Sequence, residues 1–379
     1  MIVEKSIPSW SGYKITYGGR ECLVNHYRTK PCPVCGSKKY RCVREEINNI
    51  TIGYYCFYQS SGEIKHYGGS TVYFHKVQDL KKIINFEKLK IKSIVINEIT
   101  SELIYLRNNV YSDLRDLFEK FEGSRLSKRD LDEIRIRGIT DKEIEHMGFF
   151  SSPDNNKKIR FEGYKCKVST AVARILYRKY GDELLKVSGF IKKADAKGND
   201  YIIFKTVDGY FIPYHTKEGY IVALQYRLTV PKFDNKGKSQ RYFWYSSDHA
   251  CSGSPIDHYI PLNLIRDDIA LVTEGATKGK IASERLGYIA FSMAGVGNTN
   301  ALIKAVQDYE IKENKKLKII LVLDMDKLLN PAIKSAEKYL ISEFKSLGNS
   351  VATTSWNFLN AKGIDDALLI NEEITYKII

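Results

Sequence analysis

The sequence predicts a multidomain protein that combines an α/β part with α+β parts. Its 379 residues exceed the size of one small domain, so two or three domains are expected. Near the C-terminus, two short apolar runs flank a helix-length segment, and each run ends at a carboxylate, which is typical of parallel strands in an α/β sheet. Earlier in the chain, strand-like runs alternate with Gly-containing turns, which is typical of antiparallel hairpins.

These patterns divide the chain into three predicted domains. Residues 1–85 are expected to form a small β domain around a cysteine cluster. Residues 86–260 are expected to form a basic, mixed α+β domain, and residues 261–379 a Rossmann-like parallel sheet with helices. An amphipathic pattern predicts helix from about Asp79 to Leu126, and shorter helices are predicted at 127–138, 140–147 and 169–180. A β-meander is predicted from the segments 201–204, 210–214, 220–227 and 241–247.

The charge balance favours a polyanionic partner. Lys and Arg number 59 against 45 Asp and Glu, which gives a net charge of +14, and nucleic acid is the commonest partner of such an excess. An AT-rich genome, which enriches Lys, Ile, Asn and Tyr, is the alternative explanation. The first residues lack the apolar centre of a signal peptide, and no apolar run reaches membrane-spanning length. A cytoplasmic protein without a membrane partner is therefore expected.

A cysteine cluster near the N-terminus predicts a structural zinc site. Cysteines in a reducing compartment indicate metal binding more than disulfides. The Cys-Pro-x-Cys-Gly spacing is typical of a zinc knuckle, and two further cysteines lie at the ends of predicted hairpin strands. The predicted Zn²⁺ ligands are Cys32, Cys35, Cys42 and Cys56. A Cys on a strand can also be a small buried residue, so His75 or His66 is an alternative to Cys42.

Acidic side chains mark the ends of the predicted parallel strands. Glu274 follows one strand, and Asp324 and Asp326 follow the next, so the three carboxylates are expected to converge at one sheet edge. Clustered carboxylates repel unless a cation lies among them, and oxygen ligands suit Mg²⁺ or Mn²⁺. Asp365 and Asp366 follow a later strand and are possible further ligands.

Two lysines begin the helix that follows Glu274. Lys278 and Lys280 are expected to contact phosphate there, together with the N-terminus of the helix. The alternative is a solvated first helical turn.

Several motifs resemble those of DnaG-type primases and of the primase-like proteins of plasmids, phages and integrative elements. The stretch before the acidic strands resembles the segment that precedes the TOPRIM domain in such primases. Matching motifs in this chain are Cys32–Gly36, Gly209–Pro213, Gln225–Arg227, Thr273–Lys278, Asn330–Ala332 and Lys362–Asp366. The chain departs from cellular primases at Lys278, where they have Asp, and at Gly253–Pro255, which lacks their basic ridge Lys.

The resemblance implies a zinc ribbon, a primase-type middle domain and a C-terminal TOPRIM domain. It implies an enzyme that makes short primers on single-stranded DNA by metal-dependent nucleotidyl transfer, in the replication of a mobile element or phage. Nucleoside triphosphates and a separate replicative helicase are the implied partners. Glu274, Asp324 and Asp326 would bind Mg²⁺ or Mn²⁺, while Arg227 and Arg241 would face the template or the incoming nucleotide. A metal-dependent TOPRIM nuclease and a non-catalytic single-strand-binding accessory protein are the alternatives.

Overall fold

The structure, a computed structural model, is described for the residue ranges 3–6, 13–17, 20–30, 42–47, 50–56, 63–67, 70–76, 100–194, 198, 200–233, 237, 239–247, 250 and 252–379. The chain divides into two compact units, Met1–Val95 and Ile96–Ile379. The described residues combine helices with several β-sheets, which confirms the predicted mixture of α and β structure.

The first unit contains an antiparallel sheet in the order β1-β3-β4-β5-β7-β6, with β2 paired to β3. The hairpin predicted between Cys42 and Cys56 is present, because β4 and β5 pair antiparallel and β5 ends at Cys56. Cys32, Cys35 and the side chains of His66 and His75 lie outside the described part of the chain. The strands are β1 (Val3–Ser6), β2 (Tyr13–Tyr17), β3 (Arg20–Lys30), β4 (Val43–Ile47), β5 (Ile50–Cys56), β6 (Glu63–Tyr67) and β7 (Ser70–Lys76).

The second unit begins with three helices, α1 (Ser101–Glu122), α2 (Lys128–Arg135) and α3 (Asp141–Met147). In α1 the predicted apolar stripe is buried, and its buried members include Val110, Leu114 and Phe118. The capping box predicted at the start of α3 is present between Thr140 and Glu143. The part of the predicted long helix at 79–99 lies outside the described residues.

A four-stranded antiparallel sheet follows, in the order β15-β14-β13-β8. One part of the predicted meander is wrong, since β12 pairs with β11 in a separate two-stranded sheet. Ile202 and Phe204 of β12 are buried in the cluster that also contains Phe211 of β13, so the two strands share a core without pairing with each other. The elements are β8 (Phe150–Ser151), β9 (Lys158–Phe161), β10 (Tyr164–Lys167), α4 (Val168–Tyr180), β11 (Phe190–Ala194), β12 (Asp200–Phe204), β13 (Gly209–His215), β14 (Ile221–Phe233) and β15 (Ser239–Trp244).

The C-terminal part contains a six-stranded sheet in the order β16-β18-β17-β19-β20-β21. The four central strands are parallel, as the sequence predicts for the two strands that end in carboxylates, and both edge strands are antiparallel. The elements are β16 (Asp257–Tyr259), β17 (Arg266–Glu274), α5 (Ala276–Leu286), β18 (Tyr288–Met293), α6 (Thr299–Glu313), β19 (Lys318–Val322), α7 (Pro331–Ser346), β20 (Val351–Ser355), α8 (Ile364–Leu369) and β21 (Thr375–Ile378).

Helices cover both faces of the six-stranded sheet. Buried side chains of α6 and α7, such as Val306 and Phe344, pack on one face. On the other face, Ile281 of α5 and Ile364 of α8 belong to a second cluster. That cluster also contains Ile134 of α2, Ile144 of α3 and Ile212 of β13, so the earlier helices and the four-stranded sheet share one apolar core with α5 and α8.

None of the helices in the described ranges is both long enough and apolar enough to cross a membrane.

Candidate active site

Two neighbouring parallel strands bring acidic residues to the same sheet edge. β17 and β19 pair in parallel up to Thr273 and Val322. Glu274 is the last residue of β17, and Asp324 follows β19 by two residues. Gly275 then turns the chain at a φ of 92°, a conformation that favours glycine, and α5 begins. The parallel pairing of β17 and β19 therefore places both carboxylates at the carboxyl ends of the strands, where ligands bind in open α/β sheets.

Glu274 interacts electrostatically with both aspartates. Burial raises the pKa of Glu274 above its ordinary value, and the negative charges of Asp324 and Asp326 raise it further. The ammonium of Lys278 acts in the opposite direction. Glu274 thus lies within electrostatic range of both predicted aspartates.

Two lysines neutralise the aspartates. Lys278 Nζ donates to both carboxylate oxygens of Asp324, with a distance of 2.6 Å to Oδ2. Lys362 Nζ lies 2.8 Å from Asp326 Oδ2 and 3.9 Å from Asp324 Oδ2. Burial by itself would lower the pKa of Lys278, but the adjacent Asp324 carboxylate raises it above the ordinary value. Lys278 therefore remains charged inside the acidic site.

Asp365 joins the site from the first turn of α8. Its Oδ2 accepts a hydrogen bond of 2.9 Å from Arg137 Nη1, and burial raises its pKa while Lys278 opposes that shift. The backbone N–H of Met325 donates to Lys362 O at 3.0 Å, which ties the loop after β19 to the entry of α8. Asp366 is exposed.

Three carboxylate oxygens in this region are buried and, within the described part of the chain, have no hydrogen-bond partner. They are Glu274 Oε2, Asp326 Oδ1 and Asp365 Oδ1. Buried oxygens without partners are costly, and hard oxygen ligands suit Mg²⁺ or Mn²⁺. Their chemistry therefore fits a divalent cation.

In this structure, the positive charges beside Asp324 and Asp326 come from Lys278 and Lys362. Among the described residues, no three carboxylate, histidine or cysteine side chains are grouped closely enough to hold a metal ion. A divalent ion would therefore compete with the ammonium groups of Lys278 and Lys362 for Asp324 and Asp326.

The two predicted arginines lie in a polar chain beside the site. Arg227 is mostly buried, is ion-paired with Glu133 and donates from Nε to the Tyr242 hydroxyl at 3.2 Å. Arg137 Nη2 donates to the same hydroxyl at 3.3 Å, so Tyr242 connects Arg227 to the arginine that contacts Asp365. Arg241 lies 3.7 Å from Glu133, and 39% of its side chain is exposed.

Lys280 does not lie where the sequence predicts. Its side chain is completely buried, and its Nζ lies 2.9 Å from Asp257 Oδ2 and 3.2 Å from His215 Nδ1. The Nζ also lies 4.7 Å from the centre of the Tyr259 ring. Burial lowers its pKa. Lys280 was expected to contact phosphate beside the N-terminus of α5, but in this structure these residues enclose its ammonium.

His258 is a buried neighbour of this ion pair on β16. Its ring centre lies 4.8 Å from that of Phe291 and 5.1 Å from that of Tyr309. Its Nε2 has no hydrogen-bond partner in the described part of the chain. Burial lowers the pKa of His258 to about 4, so the ring is neutral at pH 7.

In the first unit, the two described cysteines of the predicted zinc site adjoin each other. Cys42 and Cys56 are fully buried, and their sulfurs are 3.7 Å apart. Two thiolates about 2.3 Å from one tetrahedral zinc ion stand about 3.8 Å apart. A disulfide would require about 2.05 Å. A separation of 3.7 Å is that of a thiol–thiol contact, and it also accommodates shared metal ligation.

Sequence reasoning missed Lys362, Arg137 and Glu133 as members of this region. Lys362 lies in the motif that ends in Asp365 and Asp366, so its sequence position next to those acids could have predicted that it belongs to the site. Arg137 is 228 residues from Asp365 in sequence, and nothing in its local pattern marks it.

The chain is similar to one family model and to a set of solved structures. Residues 263–374 match a family model described as a domain of unknown function (DUF3854). No curated protein matches the sequence. Similar solved structures include DnaG primase catalytic cores.

One similar structure contains the zinc-binding and RNA polymerase domains of the Aquifex aeolicus primase, which are 15% identical in sequence to this chain. The match covers 96% of this chain and 81% of that chain, with a TM-score of 0.43. A second is the RNA polymerase domain of Mycobacterium tuberculosis primase DnaG, in complex with a double-stranded DNA oligomer with a 6-nucleotide overhang. It is 16% identical in sequence, and the match covers 70% of this chain and 75% of that chain, with a TM-score of 0.45. A DnaG primase catalytic domain bound to single-stranded DNA is 13% identical, covering 70% and 79% with a TM-score of 0.42.

Proposed function

We propose that this chain is a primase-like nucleotidyltransferase that makes short primers on single-stranded DNA in the replication of a mobile element or phage. In this proposal, residues 1–85 form a zinc ribbon, residues 86–260 a basic primase-type domain, and residues 261–379 a TOPRIM catalytic domain. A separate helicase would open the duplex. The observation that carries the proposal is the set of buried, unpartnered carboxylate oxygens on Glu274, Asp326 and Asp365 beside two parallel strand ends.

The proposed reaction joins two nucleotides. A 3′-hydroxyl attacks the α-phosphorus of a nucleoside triphosphate, and pyrophosphate leaves. Divalent ions, when bound, would supply positive charge to the triphosphate and make the hydroxyl more acidic. Glu274, Asp326 and Asp365 would hold them through their unpartnered oxygens once these side chains come closer together than in this structure, with Asp324 available when Lys278 moves and Asp366 at the exposed margin.

Charged side chains at the site could accept the proton of the attacking hydroxyl, bind the triphosphate and contact the template. Glu274 has a raised pKa, which suits a group that accepts the proton of the attacking hydroxyl. Lys278 and Lys362 are cations at the same edge and can bind triphosphate oxygens when they leave the aspartates. Arg241 is accessible to the template backbone, whereas Arg227 is mostly buried and would position Tyr242.

A structural zinc ion is the second proposed metal. The sulfur separation of Cys42 and Cys56 supports it, with Cys32 and Cys35 as the other proposed ligands. The zinc would fix the hairpin of β4 and β5 for contact with the template.

A non-catalytic single-strand-binding protein is the second candidate, and one observation favours it. Lys278 and Lys362 already neutralise Asp324 and Asp326. Internal cations of this kind can stabilise an acidic site without a metal ion.

Primer synthesis on an unprimed, 3′-blocked single-stranded template tests the proposal. Labelled ribo- or deoxynucleoside triphosphates are added with Mg²⁺ or Mn²⁺, and products are sized on a denaturing gel. We expect short oligonucleotides from the native chain. We expect at least about a hundredfold less product from Glu274→Gln and Asp324→Ala, because they remove charge at the reacting groups. Asp308→Asn, which changes an exposed acid on α6, is the matched control.

Strand binding, measured separately, should be largely unchanged in the site variants. Shortening of a labelled template would instead identify a nuclease. Binding without synthesis or cleavage in either metal would identify the accessory protein.

A further inference from the structure

A short β-ribbon in the second unit carries a compact group of cations that the proposed active site does not use. β9 and β10 pair antiparallel, with Phe161 opposite Tyr164. The two connecting residues, Glu162 and Gly163, have φ values of 50° and 81°. Positive φ at both positions is typical of the type I′ turn, whose twist matches that of the flanking strands. The ribbon therefore has a defined register.

That register separates the ribbon into two faces. Opposite residues and residues two apart share a face of an antiparallel pair. The apolar face includes Ile159 and Phe161; Ile159 packs against the helical core, and the Phe161 ring centre lies 6.4 Å from that of Phe121. The other face, here called the cation face, consists of Lys158, Arg160, Lys165 and Lys167, and all four are exposed.

The cation face brings like charges directly opposite each other. Arg160 pairs in register with Lys165, and Lys158 pairs with Lys167. Like charges at opposite positions destabilise a β-pair. In the described part of the chain, none of the four has a carboxylate within 4 Å, and the nearby acid Glu162 pairs with Arg178 on α4. An external polyanion is the natural partner for this uncompensated charge.

The geometry favours the backbone of a duplex. Cations two residues apart on a strand are about 6.7 Å apart, so neighbouring cations can contact successive phosphates of one strand, and the two paired ribbon strands present them on one surface. The cation face carries no aromatic ring on which an unpaired base could stack, since the exposed Tyr164 lies on the opposite face of the ribbon, and stacking is the usual device of single-strand sites. It also carries no amide or carboxylate side chain to read a base edge.

We propose that the cation face of the β9–β10 ribbon binds the phosphates of double-stranded nucleic acid without reading their sequence. The site is distinct from the acidic strand ends. It would hold duplex DNA or a template paired with its product.

The test compares variants of the full chain that each lose two positive charges. Lys158→Gln with Lys165→Gln removes one cation from each ribbon strand. Lys334→Gln with Lys338→Gln removes two exposed cations of α7 and is the matched control. Fluorescence anisotropy with a 20-base-pair duplex and with a 20-nucleotide single strand, each over a range of NaCl concentrations, gives Kd and its salt dependence.

We expect the ribbon variant to bind the duplex at least tenfold more weakly at about 0.1 M NaCl. The slope of log Kd against log salt should fall by about 2, as two phosphate contacts are lost. The single strand should lose less affinity than the duplex. The melting temperature of the free protein should stay the same or rise, because like-charge repulsion is removed.

A second ribbon variant, Arg160→Gln with Lys167→Gln, should reproduce the result, so that a folding defect in one variant does not decide the outcome. An unchanged slope in both ribbon variants, or a loss no larger than in the α7 control, would overturn the proposal. Equal losses for duplex and single strand would also overturn it, since the surface would then not prefer a duplex.

Discussion

Replacing Lys278 with Met should make the acidic site bind a divalent cation more tightly. Lys278 Nζ contacts both oxygens of Asp324, and 27% of its side chain is exposed. A metal ion that uses Asp324 must displace this ammonium or bind beside it. Met keeps the apolar length of the side chain and removes its charge.

The magnitude follows from the charges involved. A monovalent and a divalent cation about 4 Å apart repel by about 2 kcal/mol in water and by about 8 kcal/mol at an effective dielectric constant of 20. Because the lysine side chain is partly exposed and can move away, the lower figure applies. About 2 kcal/mol corresponds to a Kd for Mn²⁺ about 30-fold lower in Lys278→Met than in the native chain.

Mn²⁺ binding can be measured directly, without enzymatic turnover, by calorimetry or by the electron paramagnetic resonance signal of the free ion. Lys334→Met, on the surface of α7, is the control and should bind as the native chain does. Lys362→Met should have a smaller effect, about threefold, because 57% of that side chain is exposed and its charge is better screened.

Unchanged or weaker Mn²⁺ binding by a folded Lys278→Met variant would refute this reasoning. It would mean that Lys278 organises Asp324 instead of competing with a metal. Circular dichroism and melting temperature would establish that the variant is folded.

Three further predictions concern zinc, pH and a buried ion pair. Cys56→Ser should lose about one zinc per chain by elemental analysis, whereas Cys166→Ser should keep it; equal zinc content would contradict the proposed ligand set. Neutral His258 contributes stability that is complete above about pH 6.5 and is lost as pH falls towards its folded pKa of about 4. Between pH 8 and pH 5 the loss is about 2 kcal/mol, and His258→Phe should abolish that part in urea unfolding; an identical pH dependence in both proteins would argue against it. Lys280→Met should destabilise the fold by about 3–5 kcal/mol because buried Asp257 loses its ammonium partner and keeps its contacts with His215, and adding Asp257→Asn should recover part of the loss in the same assay; no recovery would count against the ion pair.

The elements that sequence predicts best are those with local signals. Thr140 and Glu143 specify the start of α3 through hydrogen bonds within one turn, and the apolar stripe of α1 follows the helical period. The pairing of β12 with β11 was not predictable in this way. It depends on where Ile202 and Phe204 find buried partners on other elements, and this is a property of the assembled core.

The acidic part of the candidate site was also locally encoded, because strand ends fix where carboxylates point. The local sequence did not specify which residues Lys278 and Lys280 contact. Lys278 and Lys280 are two residues apart on α5, and this spacing places them about 200° apart around the helix axis. One therefore reaches Asp324 at the sheet edge and the other reaches buried Asp257, and the helical period could have separated their roles before the contacts were known.

The apolar core that α5 and α8 share with α2, α3 and β13 has a practical consequence for deletion studies. A fragment that starts at residue 261 would leave Ile281 and Ile364 without Ile134 and Ile144, and water would reach that side of the sheet. Asp365 would lose Arg137 by the same cut. Truncated versions intended to retain the acidic strand ends should therefore begin near residue 96, where the second compact unit starts.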